Sequence, residues 1–102
     1  MISAQEIRQL RQDTGLSVIQ FAQLFAVAPS TVSHWETDRS SPSLIIQFSM
    51  IELRGRIQGI VKMSDATTDA IKKTLLGLLL GGGLVAFMTW LYTRKEDLNG
   101  KK

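Results

Sequence analysis

The first sixty residues contain sequence signals that start and stop helices. These signals divide this part of the chain into short segments and restrict it to helical folds. Ser3 followed by Glu6 matches a capping box, and Gly15 ends the segment that they open. Signals of the same kind open three later segments at Ser17, Pro29 and Ser43. We therefore predict an all-α domain of four to five helices over residues 1–62, with a short second helix near 17–25 and a third near 29–37.

The fourth predicted helix carries two apolar stripes. The first would face the domain core and consists of Leu44, Ile45, Phe48 and Ile51. The second follows the four-three spacing of a coiled-coil seam and consists of Ile46, Met50, Leu53, Ile57 and Ile60. Two interpretations stay open for this second stripe: it pairs two chains, or a fifth helix folds back and buries it.

The composition excludes several kinds of site. The chain has no cysteine and a single histidine, which rules out disulfide scaffolds, thiolate zinc sites and cysteine nucleophiles. A lone histidine without an identifiable carboxylate pair leaves no acid/base set, so we expect no enzymatic activity. We also expect no cofactor and no metal site.

Charge alone does not indicate a nucleic-acid partner. The net charge is +3, and residues 1–62 contribute six basic against five acidic residues, a net of +1. A strong electrostatic footprint on nucleic acid would need a basic patch. The polar N-terminus lacks the features of a secretory signal, so we expect the N-terminal domain to stay in the cytosol.

An uncharged segment of twenty residues runs from Thr74 to Thr93, between two lysines and the pair Arg94 and Lys95. A helix of this length spans about 30 Å, the thickness of a bilayer's hydrocarbon core. Aromatic residues cluster near its end, as at a lipid interface. We predict a transmembrane helix over 74–93, after a polar linker or helix lead-in over 63–73 and before a short basic tail over 94–102. The alternative is a buried helix or dimer core, which would have to carry four glycines.

Small residues in this segment repeat at a spacing of four. Gly77 with Gly81, and Gly82 with Ala86, would let two membrane helices pack closely. Basic residues flank both ends almost equally, so charge barely selects a topology. Because the N-terminal domain lacks an export signal, we predict a single-pass protein of the bacterial inner membrane with that domain in the cytoplasm.

The run EIRQLRQDTGLSVIQFAQLFAVAPSTVSHWETDRSSPS resembles the Xre/Cro family of phage and bacterial repressors. The resemblance covers RQLRQ, FAQLF, STVSHWE and RSSPS at the family's spacing. It implies a repressor-like helix-turn-helix domain whose second helix crosses the DNA backbone and whose third lies in the major groove. It also implies homodimers that read two half-sites of double-stranded DNA about one helical turn apart.

The resemblance places the DNA contacts in and around the third helix. The positions implied are Ser17, Pro29, Ser30, Thr31, Ser33, His34, Arg39, Ser40 and Ser41. Ser30 would bond a base edge, Pro29 would contact a thymine methyl, and Arg39 would clamp a phosphate. His34 would bond guanine or a phosphate, and the alternative for it is a solvated surface histidine.

The resemblance also implies a structural ion pair and marks three departures from the family pattern. Arg11 and Glu36 occupy positions that often tie the first helix to the third. Val18 stands where the family often has a glutamine that meets a phosphate. Ala26 stands where glycine is frequent because the turn approaches a left-handed conformation, and Ala28 replaces the usual Ser or Thr cap.

Two functions fit these features. The first is a membrane-anchored DNA-binding protein that regulates transcription or tethers DNA to the membrane. The second is an adaptor similar to RodZ, whose helix-turn-helix domain docks on an actin-like filament and is followed by one membrane span. The partners expected are therefore double-stranded DNA, the lipid bilayer and a second copy of the chain, with an actin-like filament as the alternative to DNA.

Overall fold

The structure, a computed structural model, describes residues 2–64 and 68–100, with side chains for residues 2–59 and 68–92. The described residues form six helices and no strand, which agrees with the all-α prediction. In chain order the helices are α1 (Ala4–Thr14), α2 (Val18–Leu24), α3 (Pro29–Glu36), α4 (Leu44–Ser64), α5 (Thr68–Gly81) and α6 (Leu84–Gly100).

Local hydrogen bonds start and stop the first two helices where the sequence predicts. The Ser3 hydroxyl accepts from the Glu6 backbone N–H, and the Glu6 carboxylate accepts from the Ser3 backbone N–H. These bonds, together with the nearby Arg54 guanidinium, lower the pKa of Glu6. Ser17 and Gln20 form the same reciprocal box at the start of α2. Gly15 ends α1 in the left-handed conformation, with φ of 74°.

A cluster of aromatic rings lies at the centre of the core. The ring of Phe25, at the end of α2, meets those of Phe21, Trp35 and Phe87 edge-on, with centroid distances of 5.1, 6.5 and 5.5 Å. Trp35 belongs to α3 and Phe87 to α6, so the cluster joins three helices. Such edge-to-face pairs are the arrangement that aromatic quadrupoles favour.

The stripe of α4 that we predicted to face the core is exposed, and the other stripe is buried. Met50, Leu53 and Ile57 are buried, whereas Leu44, Ile45 and Phe48 are mostly exposed. The prediction for the first stripe is therefore wrong, apart from Ile51, which is half-buried. Ile46 is also half-buried against the core, and the side chain of Ile60 lies outside the described residues.

The second stripe is buried because α4 packs against α1 on one side and against α6, which folds back over it, on the other. On α6, the Met88 Sδ atom and the Tyr92 hydroxyl oxygen lie 3.5 and 3.3 Å from the hydroxyl oxygen of Ser49 on α4. The Arg56 guanidinium stacks 3.7 Å above the ring of Trp90 and donates to the Trp90 carbonyl. Of the two interpretations left open, the structure thus agrees with burial of this stripe, and not with its use as a seam between chains.

The uncharged segment does not form one continuous helix, so the predicted helix over 74–93 is wrong. α5 ends at Gly81 and α6 begins at Leu84, with Gly82 and Gly83 in a turn closed by a 3.0 Å hydrogen bond from Gly83 N to Leu78 O. Gly83 has φ of 65°, a conformation that glycine adopts without steric cost. No helix in the described residues combines the length and the apolar character needed to cross a membrane.

The two helices instead form an antiparallel hairpin on the domain. Its inward side chains Ile71, Leu75, Phe87 and Leu91 are buried in the common core. The residues predicted to pack membrane helices are divided by the turn: Gly77 and Gly81 belong to α5, Gly82 to the turn and Ala86 to α6. Gly77 and Gly81 lie one turn apart on α5, but the four residues do not form one continuous face of a single helix. Residues 68–73 of the predicted linker or lead-in form the first turns of α5.

Replacing Phe87 by alanine tests whether the hairpin completes the core. Phe87 is fully buried, so we expect Phe87→Ala to lower the free energy of unfolding by about 3–5 kcal/mol. Leu80→Ala, at a side chain that is 91% exposed, should change it by less than about 0.5 kcal/mol. Urea unfolding followed by circular dichroism measures both. Equal stability of the two variants would contradict the packing of α6 on the domain.

Candidate nucleic-acid interface

The third helix has one buried face and one polar face. Val32 and Trp35 are buried at a spacing of three residues and anchor α3 in the core. Ser30, Ser33 and His34 are exposed on the remaining surface. The helix begins at Pro29 without a side-chain cap on Ala28, so proline's restricted φ starts it. The outer surface of α3 thus carries short side chains that donate and accept hydrogen bonds.

The turn between α2 and α3 places a non-glycine residue in a left-handed conformation. Ala26 has φ of 57°, which agrees with the conformation that the family resemblance implies at this position. The Val27 N–H donates to the Ala22 carbonyl at 3.0 Å and closes the turn. A Cβ in this region costs about 1–2 kcal/mol, so the turn is strained at Ala26.

The loop after α3 is held at both ends. The backbone N–H groups of Arg39 and Ser40 donate to the His34 carbonyl at 2.8 and 3.3 Å. At the other end, Gln47 Nε2 donates to the Pro42 carbonyl at 2.8 Å. The side chains of residues 39–41 are exposed between these anchors. Defined backbone at both ends orients Arg39, Ser40 and Ser41 toward solvent as one group.

Gln47 also supports the candidate interface, and the sequence pattern did not indicate this residue. It is buried on α4, where it anchors the loop that carries Arg39. The available signal was a glutamine within an apolar helix five residues after Pro42, a position from which its amide reaches back to the preceding loop. The Nε2 group of this buried amide has the Pro42 carbonyl as its partner, whereas Oε1 is buried without a hydrogen-bond partner among the described residues.

The ion pair expected between α1 and α3 is present. Arg11 Nε and Nη2 donate to Glu36 Oε2 and Oε1 at 2.7 and 3.1 Å, and Arg11 Nη1 donates to the Leu16 carbonyl at 3.4 Å. Hydrogen bonding to Glu36 raises the pKa of Arg11, so the guanidinium stays charged. Because the Glu36 side chain is only 5% exposed, this bidentate pair fixes the end of α3 against α1.

The predicted contact residues occupy three consecutive pieces of the fold. Ser17 caps α2, the set from Pro29 to His34 lies on α3, and Arg39 to Ser41 lie on the loop that follows. Thr31 is half-buried and the other members of the α3 set are exposed. Val18 is half-buried against the core, so its side chain packs where a glutamine would reach outward.

The charge on this surface is low. Arg39 and His34 are its basic side chains among the described residues, and Asp38 lies beside Arg39. Hydroxyl groups and backbone N–H groups can bind phosphate oxygens without charge, and such contacts release no counterions. Among residues 2–59 and 68–92, no group of three acidic or histidine side chains is arranged to hold a metal ion.

Residues 7–46 match the helix-turn-helix family. They include α2, the turn and α3, the pieces that carry the predicted contacts. Over 41 residues, or 40% of this chain, the sequence is 44% identical to the uncharacterized HTH-type transcriptional regulator YiaG of Escherichia coli K12, and equally to the proteins of that name from E. coli O157:H7 and strain CFT073. The match spans 43% of the length of these relatives. No solved structure matches the chain.

Replacing Ala26 by glycine tests the strain in the turn. Glycine removes the Cβ that opposes the left-handed conformation, so we expect Ala26→Gly to raise the free energy of unfolding by about 0.5–1 kcal/mol. Ala28→Gly, at a residue with φ of −72°, is the control and should not stabilise the protein. Thermal unfolding measures both. A loss of stability in Ala26→Gly would show that the turn is not strained at this residue.

Proposed function

We propose that this protein is a DNA-binding transcriptional regulator whose α3 lies in the major groove of double-stranded DNA. The observation that carries the proposal is the polar face of α3, which is exposed because Val32 and Trp35 anchor the opposite face in the core. This helix lies within the segment that matches the helix-turn-helix family. The E. coli relatives are named as HTH-type transcriptional regulators, which supports the same function.

In this proposal the contacts divide between bases and phosphates, and they come from α3, from the start of α2 and from the loop after α3. Ser30 bonds a base edge, His34 bonds guanine or a phosphate, and Pro29 contacts a thymine methyl. The hydroxyl groups of Ser17, Thr31, Ser33, Ser40 and Ser41 bind phosphate oxygens, and Arg39 supplies a charged phosphate contact. The anchored loop and the Arg11–Glu36 pair hold these groups in one register.

Affinity for DNA should depend on α3 and only weakly on salt. We expect the double variant Ser30→Ala with His34→Ala to bind duplex DNA at least tenfold more weakly, because it removes two contacts worth about 1 kcal/mol or more. Arg39→Ala should make the slope of log affinity on log salt shallower by about 1. Fluorescence anisotropy of a labelled duplex with the full chain measures both quantities.

The control for these variants is Gln12→Ala, at an exposed side chain on α1 away from the proposed interface. The full chain is used because α5 and α6 bury part of the core of residues 2–59. Absence of any binding at low salt, or an equal loss in the control, would contradict DNA binding through α3.

We further propose that two copies bind DNA together through the exposed stripe of α4. Leu44, Ile45 and Phe48 share one helix face and are 60%, 71% and 54% exposed. This stripe begins where the DNA-contacting loop ends, so pairing here would bring two recognition surfaces next to each other. A homodimer matches the arrangement by which helix-turn-helix proteins read paired half-sites.

Sedimentation velocity tests the homodimer. Ile45→Asp places a charge in the centre of the proposed contact, so we expect it to weaken self-association at least tenfold. Val85→Asp, at a side chain that is 74% exposed on α6, is the matched control and should leave association unchanged. A monomeric wild-type chain at high concentration would contradict the dimer in the absence of DNA.

Two other expectations from the sequence concern a filament partner and enzymatic activity. No observation on the described residues favours the RodZ-like adaptor, and the matched relatives carry no name that indicates a filament partner. The proposal is also of a protein without catalytic activity, as expected from the lone histidine and the lack of cysteine.

A further inference from the structure

We propose that the tip of the α5–α6 hairpin binds an anionic lipid surface and lies within the interface without crossing the bilayer. The hairpin tip is defined here as residues 79–85, which contain the end of α5, the glycine turn and the start of α6. This inference goes beyond the proposed DNA binding and does not depend on it.

The hairpin tip exposes apolar side chains and carries no charge. Leu80 is 91% exposed and Val85 is 74% exposed, on opposite sides of the turn. Leu79 and Leu84 are half-buried beside them. Gly81, Gly82 and Gly83 add no polar side chain, and the sequence holds no charged residue from Thr74 to Thr93. The most protruding part of the hairpin is therefore apolar, which water solvates poorly and a lipid interface accepts.

Basic residues lie at the opposite end of the hairpin, at a distance that suits lipid headgroups. Lys73 is exposed and precedes Leu80 by seven residues, which is about 10 Å along a helix. Lys72 adjoins it, and in the sequence Arg94 and Lys95 follow Val85 by nine and ten residues, within the middle of α6. An apolar segment buried about 5–10 Å deep would bring cations at this spacing to the phosphate level.

The acidic residues nearby lie farther from the hairpin tip. Asp69 pairs with Lys73 at 3.4 Å, but it is one helical turn more distant from Leu80, and both partners are largely exposed. An exposed pair of this kind contributes little energy, so Lys73 can exchange its partner for a lipid phosphate. Glu96 and Asp97 likewise follow Arg94 and Lys95 in the sequence.

Lipid fits this surface better than a second protein chain does. Two exposed side chains and three glycines give too small an area for a stable protein interface, which buries about 800 Å² on each partner. Binding at the tip also leaves the inward side chains of the hairpin in the domain core. The rest of the fold can therefore stay intact while the hairpin tip is bound to lipid.

Vesicle flotation of the full chain tests the proposal. We expect the protein to float with phosphatidylcholine vesicles that contain about one third phosphatidylglycerol, and to bind pure phosphatidylcholine vesicles at least tenfold more weakly. Leu80→Asp should reduce binding to the anionic vesicles at least tenfold. Ile19→Asp, which places the same charge on a side chain that is 59% exposed on α2, is the matched control and should float as the wild type does.

Circular dichroism establishes that each variant is folded before flotation. Wild-type protein that stays unbound with anionic vesicles overturns the proposal, as does Leu80→Asp protein that floats unchanged. Equal loss in the two aspartate variants also overturns it, because the effect would then not belong to the hairpin tip. Equal binding to both kinds of vesicle overturns the role of the basic residues. None of these results depends on DNA, so a failure of DNA binding is distinguishable.

Discussion

The packing of Phe25 against three other rings is the contact on which the rest of the structure depends. Phe25 ends α2, and its neighbours Trp35 and Phe87 come from α3 and from the hairpin. One ring therefore contacts both α3 and α6. Since large aromatic side chains contribute much of a small domain's burial, the position of the polar surface and the position of the hairpin are determined together.

The candidate DNA surface combines rigid support with low charge. Buried residues of α3, the Arg11–Glu36 pair and the anchored loop hold short polar side chains in place. A surface with few cations gains little from counterion release, so in the proposed function the affinity comes from direct hydrogen bonds and from binding two half-sites at once. This is the physical reason that self-association through the exposed stripe of α4 accompanies the proposal of DNA binding.

The apolar content of the chain is divided between a core and two exposed surfaces. The hairpin contributes Ile71, Leu75, Phe87 and Leu91 to the core, so the segment that matches the helix-turn-helix family does not contain the whole hydrophobic interior. The stripe on α4 and the hairpin tip remain outside it. Isolated exposed apolar residues are common, but contiguous ones indicate binding surfaces, and we assign one of these to a second chain and the other to lipid.

By itself the sequence determined where the first three helices start and the chemistry of α3. Ser3, Gly15, Ser17 and Pro29 act through hydrogen bonds and backbone angles within a few residues, so their effects are readable without the fold. The Arg11–Glu36 pair followed from the family resemblance. Only the tertiary structure decided which stripe of α4 is buried, because both have helical spacing and the choice depends on where α6 packs. The same holds for residues 74–93, whose length and lack of charge fit a membrane helix. That segment forms a hairpin because the chain turns at Gly82 and Gly83 and because Phe87 packs into the core formed with the preceding helices.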